Sequence, residues 1–310
     1  MIAPGHALIS GGSSGIGLAL ARRLASAGWS LSILARDRDR LAAAREDLAA
    51  GGAARRITTH AVDVTDAAAV ERAVGAAVAT LGVPALVVAA AGAVVPGRFD
   101  DLALADFRRC MDVNYLGALH LARAALPPMR RERRGRIVMI ASGAALIGLY
   151  GYTAYAPAKF AVRGLAEALR SELAPDGIGV SVVYPPDTDT LQLREEVQRR
   201  PGPTSAAAAA ARVRTPEVVA EAILRGIRRN RFAITAGWEM SVLAALHSVL
   251  GPALHRFWLD PVIARALRRE TAPVPPPLAT GPSEPAGGRG GDGASPAIAA
   301  ARAMPSTPWR

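Results

Sequence analysis

Short apolar runs alternate, over the first two-thirds of the chain, with stretches in which apolar residues recur every third or fourth position. "HALIS" (6–10), "SLSILA" (30–35), "ITTHAVDV" (57–64), "PALVVAAAG" (84–92), "GRIVMIAS" (135–142) and "GVSVVYP" (179–185) read as strands. Most of them are nearly continuous in apolar character, as expected of strands buried on both faces of a parallel sheet. The segments between them predict helices over residues 16–27, 39–50 and 67–81, with longer helices between the later strands. Strand, helix, strand at this spacing specifies an α/β chain with a doubly wound parallel sheet and helices on both faces.

The pattern changes after residue 200. "PGPTSAAAAAARVR" (201–214) reads as a low-complexity insert, expected to form a mobile loop or lid. Thr215 caps a new helix, "TPEVVAEAILRGIRR", with Pro216 at its first position. An apolar segment follows over residues 238–259, and beyond Thr271 the composition turns to Pro, Gly, Ala and Ser, expected to be a disordered tail.

Composition narrows the function classes. The 310 residues are 51% hydrophobic, ample for one large α/β domain. One cysteine, Cys110, excludes an intramolecular disulfide, and the five histidines form no ligand cluster, so no metal site is expected. The net charge of +11 comes almost wholly from arginine. It suits an anionic membrane surface or a phosphate-rich cofactor; no aromatic-interleaved basic stripe accompanies it, which argues against nucleic acid. The start, "MIAPGHALISGG", lacks signal-peptide character, and a cytoplasmic location is expected. Residues 241–254 are interrupted by His247, Gly251 and Pro252 and fall short of the about 20 apolar residues that span a bilayer. At most this region makes a peripheral contact with the cytoplasmic face of a membrane.

Two constellations carry chemistry. "SGGSSGIG" (10–17) follows the first strand and opens the first helix, where a dinucleotide fingerprint belongs. Gly11 permits the tight turn, Gly15 lets backbone approach a pyrophosphate, and Gly17 allows close helix–sheet packing; Ser13, Ser14 and Ile16 complete the loop. The second strand ends at Ala35 rather than at an acid, and Arg36 and Arg40 follow, so NADPH is preferred to NADH. Asp37 weakens that preference slightly. Asp63, beside Val64, is placed to hold the adenine amino group, or it caps a helix together with Asp66. Ala91 and Gly92, after the fourth strand, complete the cofactor cleft.

The second constellation lies in "YTAYAPAKFAVRGLAEALRSEL" (152–173), a helix expected to bury Phe160, Val162, Leu165 and Leu169. Tyr155 and Lys159 are one turn apart on one face. The ammonium of Lys159 is expected to stabilise a Tyr155 phenolate and lower its pKa, so that Tyr155 donates a proton to a ketone oxygen. Ser142, at the end of a strand, can hold and polarise the carbonyl. Asn114, in "MDVNYLGAL", either binds a backbone carbonyl and a water relaying protons to Lys159 or is a satisfied buried amide.

Asn114, Ser142, Tyr155 and Lys159, in this order and with the glycine turn, resemble the short-chain dehydrogenase/reductase family over about the first 190 residues. The resemblance implies a Rossmann-like fold with a C-terminal helical extension and a tetrad of those four residues. It also implies that Tyr155 and Lys159 touch the cofactor and that the protein is a homo-oligomer, dimer or tetramer, packed through the Tyr155 helix and its predecessor. The family's usual Asn-Asn-Ala-Gly is here Ala89, Ala90, Ala91, Gly92, so an asparagine that braces the sheet is missing. "VVYPPDTDT" (182–190), with "LARDRDRL" and "GRFDDL", is similar to a branch of the family that reduces the C3 ketone of the long-chain amino ketone 3-oxosphinganine with NADPH. By that similarity Pro185, Thr188 and Thr190 line the nicotinamide side. Asp187 and Asp189 are candidates to neutralise the substrate amine or to cap a turn. The apolar groove for the alkyl chain is expected from the helices at 215–229 and 238–259. The expected organisation is a cofactor-binding and catalytic core over 1–200, a substrate loop and helices of the same domain over 201–270, and a tail over 271–310. Another lipophilic ketone, 3-oxoacyl or steroid-like, or a non-catalytic nucleotide-binding scaffold, stays open at this point.

Overall fold

A computed structural model of the chain describes residues 4–51, 56–209 and 212–270; the tail expected over 271–310 lies outside them. Strands β1 (His6–Ser10), β2 (Ser30–Ala35), β3 (Ile57–Ala61), β4 (Leu86–Ala89), β5 (Gly135–Ile140), β6 (Ile178–Tyr184) and β7 (Ala233–Thr235) form one sheet in the order β3-β2-β1-β4-β5-β6-β7. Every neighbouring pair is parallel. The helices are α1 (Gly15–Ser26), α2 (Arg38–Ala50), α3 (Ala67–Leu81), α4 (Leu104–Cys110), α5 (Gly117–Glu132), α6 (Tyr155–Leu173), α7 (Leu191–Val197), α8 (Gly202–Ala208), α9 (Pro216–Arg228), α10 (Trp238–Leu254) and α11 (Asp260–Glu270).

Because strand side chains alternate, successive residues feed two different cores. Ala7 and Ile9 of β1 join Leu31, Ile33, Val88 and Val138 under α1, α2 and α9. Leu8 joins Leu34, Val87, Ile137 and Val182 under α3, α5 and α6. Local signals set the helix starts: Asp37, Asp66 and Thr215 accept hydrogen bonds from Arg40, Ala69 and Val218 as the side-chain caps of α2, α3 and α9.

Four expectations are corrected. β7 was absent from the sequence reading, since three residues are too few for a periodicity; it forms because β6 offers an open edge. The described part of the 201–214 insert is helix α8, packed on α11, with Thr204 and Ala207 buried. Alanine's high helix propensity makes this run a helix once an apolar neighbour covers one side. The apolar face of α9 lies in the core against α1 rather than along a groove. Phe160 is 40% exposed on α6, whereas Val162 is buried and Leu165 and Leu169 pack at the core margin.

Three strands are tied at their N-terminal halves by a polar chain. His6 Nδ1 meets the Gly82 carbonyl at 2.7 Å, its Nε2 meets Ser32 Oγ at 2.9 Å, and Ser32 Oγ meets Thr58 Oγ1 at 2.8 Å. Burial lowers the pKa of His6 and of His60, next in the chain. The unfolded chain therefore binds more protons than the native one below pH about 6.5, and stability falls as pH drops through that value. The expected result is a lower denaturant midpoint at pH 5.5 than at pH 7.5, with the difference reduced in His6→Asn.

Candidate active site

The site forms where the carboxyl ends of β1 and β4 part, the switch point of a doubly wound sheet. Gly11 turns the chain there with φ +67°, and a Cβ on it would stand 2.6 Å from the Ala91 nitrogen. Gly15 has φ +52°, and the Cγ2 of Thr190 packs over it, 3.0 Å from where a Cβ would sit. α1 opens at Ser14 without a side-chain cap, so no side chain of its own covers its first-turn amides, the arrangement that receives a pyrophosphate.

One cavity of about 580 Å³ is lined by every residue expected to hold the cofactor, from the glycine turn through Arg36, Arg40, Asp63 and Val64 to Ala91, Gly92, Pro185, Thr188 and Thr190. At its adenosine end Arg36 Nη1 lies 3.8 Å from Asp63 Oδ2. Asp63 Oδ1 accepts from the backbone and hydroxyl of Thr65, so it braces a turn while facing the cavity; Asp66 is the cap of α3. Asp37 caps α2 and pairs with Arg40 at 3.2 Å, which removes much of its repulsion toward a phosphate. The residues therefore fit a dinucleotide carrying a 2′-phosphate: a glycine cradle at one end, two guanidinium groups and no free acid at β2.

At the other end, Ser142, Tyr155 and Lys159 meet in the same cavity. Ser142 follows β5, and its Oγ accepts from the Ala144 nitrogen at 3.1 Å and hydrogen-bonds Tyr155. Lys159 is buried, its Nζ donating to the Ile140 carbonyl at 3.0 Å and standing 5.6 Å from the Tyr155 ring centre. The expected lowering of the Tyr155 pKa is corrected. Burial raises it, as the largest effect, and burial lowers Lys159 to about 8. Desolvation opposes the charged form of each group. At neutral pH this is a neutral phenol beside an ammonium, the pair suited to proton donation.

Asn114 is the tetrad member that does not line the cavity. It sits in a π-helical turn, Met111–Leu116, between α4 and α5, and its Nδ2 donates to the carbonyls of Ala93 (2.7 Å) and Cys110 (2.9 Å). Its Oδ1 accepts from the Ala93 nitrogen at 3.3 Å, so it clamps the segment after β4. Gly92 is needed there: a Cβ would come within 3.0 Å of Asn114 Oδ1 and 3.6 Å of Lys159 Nζ. The asparagine missing from Ala89–Gly92 is replaced in part by Ser10, whose Oγ accepts from the Ala91 nitrogen at 3.4 Å.

Asp187 and Asp189 do not stand free. Arg194 grips Asp189 with two hydrogen bonds of 2.9 and 3.2 Å, and Arg200 Nη1 holds Asp187 at 2.9 Å. Tyr152, Glu196 and Arg200 belong to the site and escaped the sequence reading. Tyr152 donates to Glu196, and its ring meets that of Tyr155 edge-on at 5.7 Å. The opening of the cavity toward α10 is walled by Met240 and Leu243, with Trp258 from the π-helical turn His255–Leu259; α9 contributes none of this wall.

The fold and the site define a nucleotide-dependent oxidoreductase, and the chain belongs to the short-chain dehydrogenase family, whose model matches residues 5–201. It is 37% identical over 250 residues to the 3-dehydrosphinganine reductase of Danio rerio, covering 80% of this chain and 75% of that relative. It is 36% identical over 257 residues to the 3-dehydrosphinganine reductase TSC10B of Arabidopsis thaliana, covering 82% and 76%. Among solved structures, a short-chain dehydrogenase from Sphingobium yanoikuyae in complex with NADPH superposes with a TM-score of 0.68 at 26% identity, over 82% of this chain and 96% of that one.

Proposed function

We propose that this chain reduces the C3 ketone of 3-ketodihydrosphingosine (3-oxosphinganine) to sphinganine with NADPH. The observation that carries the reading is the convergence of Ser142, Tyr155 and Lys159 at one cavity whose far wall is apolar. The names of the relatives in fish and plants support the substrate.

Ser142 Oγ holds the carbonyl oxygen, and the neutral phenol of Tyr155 donates its proton to that oxygen. Lys159 stabilises the phenolate left behind, and its bond to the Ile140 carbonyl fixes its direction. NADPH, when bound, supplies the hydride that reduces the carbonyl carbon. Asn114 keeps the Ala93 segment, and with it the floor of the cleft, in place. Met240, Leu243 and Trp258 receive the alkyl chain, where each buried methylene contributes about 0.8 kcal/mol. The reading divides the domain as cofactor and catalytic core up to residue 200, with α8, α10 and the turn His255–Leu259 as the substrate wall.

Purified protein is expected to oxidise NADPH with 3-oxosphinganine, followed by absorbance of the reduced nicotinamide, and not with a steroid ketone or a 3-oxoacyl thioester. Equal rates with all three would reject the substrate, and no rate with any would favour a nucleotide-binding scaffold. Arg36→Ala is expected to raise KM for NADPH on the order of tenfold while leaving KM for NADH nearly unchanged, since a guanidinium bond to a phosphate is worth about 1.5 kcal/mol or more. Equal effects on the two would remove Arg36 from the phosphate site.

Among the described residues no helix is long and apolar enough to cross a membrane. The exposed Trp238, Val249 and Phe257 support a peripheral lipid contact, and the exposed Phe160 on α6 supports a subunit contact.

A further inference from the structure

Three charged groups meet at the substrate side of Tyr155, and their charges do not balance. Glu196 is 9% exposed and lines the cavity, and the Arg200 side chain is 5% exposed. Arg200 divides itself between two carboxylates, 2.7 Å from Glu196 and 2.9 Å from Asp187. Two carboxylates and one guanidinium leave one negative charge. Glu196 and the Arg200 side chain are buried and the Asp187 side chain is 28% exposed, so the excess charge sits in a poorly hydrated cluster that favours a neutralising cation. Glu195 and Arg199, the other charged residues of α7 and the turn after it that line the cavity, are exposed and screened by water. Lys159 donates to the Ile140 carbonyl, and neither Glu196 nor Asp187 forms an ion pair with it.

The bonds within the cluster fall on one side of Glu196. Tyr152 and Arg200 both donate to Oε1. Tyr152 in turn stacks edge-on against Tyr155, so this carboxylate stands one ring away from the proton donor. The charges of Glu196 and Asp187 are felt at the Tyr155 hydroxyl, which they push further up.

Resting on the substrate reading above, we propose that Glu196 selects an amino ketone, its carboxylate receiving the ammonium group on the carbon next to the carbonyl. In 3-oxosphinganine that nitrogen is two bonds from the carbonyl carbon, so a group that recognises it must lie near Tyr155; Glu196 lines the same cavity, one ring away across Tyr152. The incoming ammonium completes two anions with two cations. Tyr152 and Arg200 are positioning residues that aim the carboxylate. Asp189 is thereby relieved of the amine-binding role, being held by Arg194 and absent from the cavity lining, while Asp187 shares Arg200 with Glu196 and is the more exposed of the two.

The test compares 3-oxosphinganine with the desamino 1-hydroxy-3-ketone of equal chain length, using the full chain with NADPH. Wild-type protein is expected to favour the amino ketone in kcat/KM on the order of 100-fold, the scale of a buried charge pair. In Glu196→Gln the ratio collapses to within about threefold, on the same basis. A purely structural Glu196 would lower both values together, and an unchanged ratio overturns the assignment. Should the variant not fold, wild-type protein still decides: sphinganine must inhibit far more tightly than N-acetylsphinganine, and equal inhibition overturns the assignment. Wild-type protein that reduces the desamino ketone and leaves 3-oxosphinganine untouched overturns the substrate reading itself, and with it the role of Glu196.

Discussion

Tyr155→Phe is expected to abolish turnover while leaving NADPH binding intact. The substitution removes one hydroxyl from a partly buried ring and leaves its packing against Tyr152 unchanged in shape. Loss of a positioned general acid lowers kcat by about 10³-fold, equivalent to about 4 kcal/mol of barrier. NADPH affinity, measured by quenching of protein fluorescence, is expected to stay within about twofold, because the contacts of the glycine turn and Arg36 lie at the other end of the cleft and sites so far apart act independently. Stability is expected to drop by only about 1 kcal/mol, the net worth of the hydrogen bond to Ser142. Near-normal kcat would remove Tyr155 from the chemistry; loss of nucleotide binding in step with activity would mean the site had collapsed instead.

Arg200→Met carries the largest expected effect on stability. The variant keeps the apolar stem and deletes the cation that Glu196 and Asp187 share, leaving the buried Glu196 carboxylate without its cation beside a part-buried Asp187. Breaking a buried ion pair from one side destabilises by about 3–5 kcal/mol, a fall in Tm on the order of 10 °C for a domain of this size. The same substitution at Arg194 is the internal control. Its pair with Asp189 has similar geometry, but both side chains are in water, and no measurable change in Tm is expected. Equal effects at the two positions would mean that burial does not distinguish them.

Much of the sheet was legible along the chain. Strands buried on both faces must be nearly continuous in apolar residues, and Asp66 and Thr215 announce helix starts, whereas the cap at Asp37 emerged only in the structure. The glycine turn was legible because its requirements are local: a left-handed φ at Gly11 and Gly15, and no side chain where backbone must approach. Tyr155 and Lys159 were legible because one helical turn suffices to bring them to the same face. Lys159 is also the only lysine in the chain, an ammonium kept where arginine serves everywhere else.

Other features have no local signature. Glu196 and Arg200 are four residues apart, as Tyr155 and Lys159 are, yet "REEVQRR" reads as a solvated helix end. They lose water only because Tyr152, 44 residues earlier, and Asp187 close over them. α9 shows the converse. Its apolar face was plain in the pattern, but only the packing against α1 decided that it serves the core rather than the substrate. Phe160 and Val162 look equally apolar in sequence, and their angle around α6 buries one and exposes the other.

The sequence by itself determined six of the seven strands, the cap at Thr215, the cofactor turn and the candidate proton donor, since each depends on backbone geometry within a few residues. The tertiary structure alone decided which charges are stripped of water. That choice raises the Tyr155 pKa where proximity to Lys159 suggested the reverse, and it is the basis for proposing Glu196 as the amine's partner. Desolvation depends on everything that packs around a group, from any distance along the chain, and no local pattern records it.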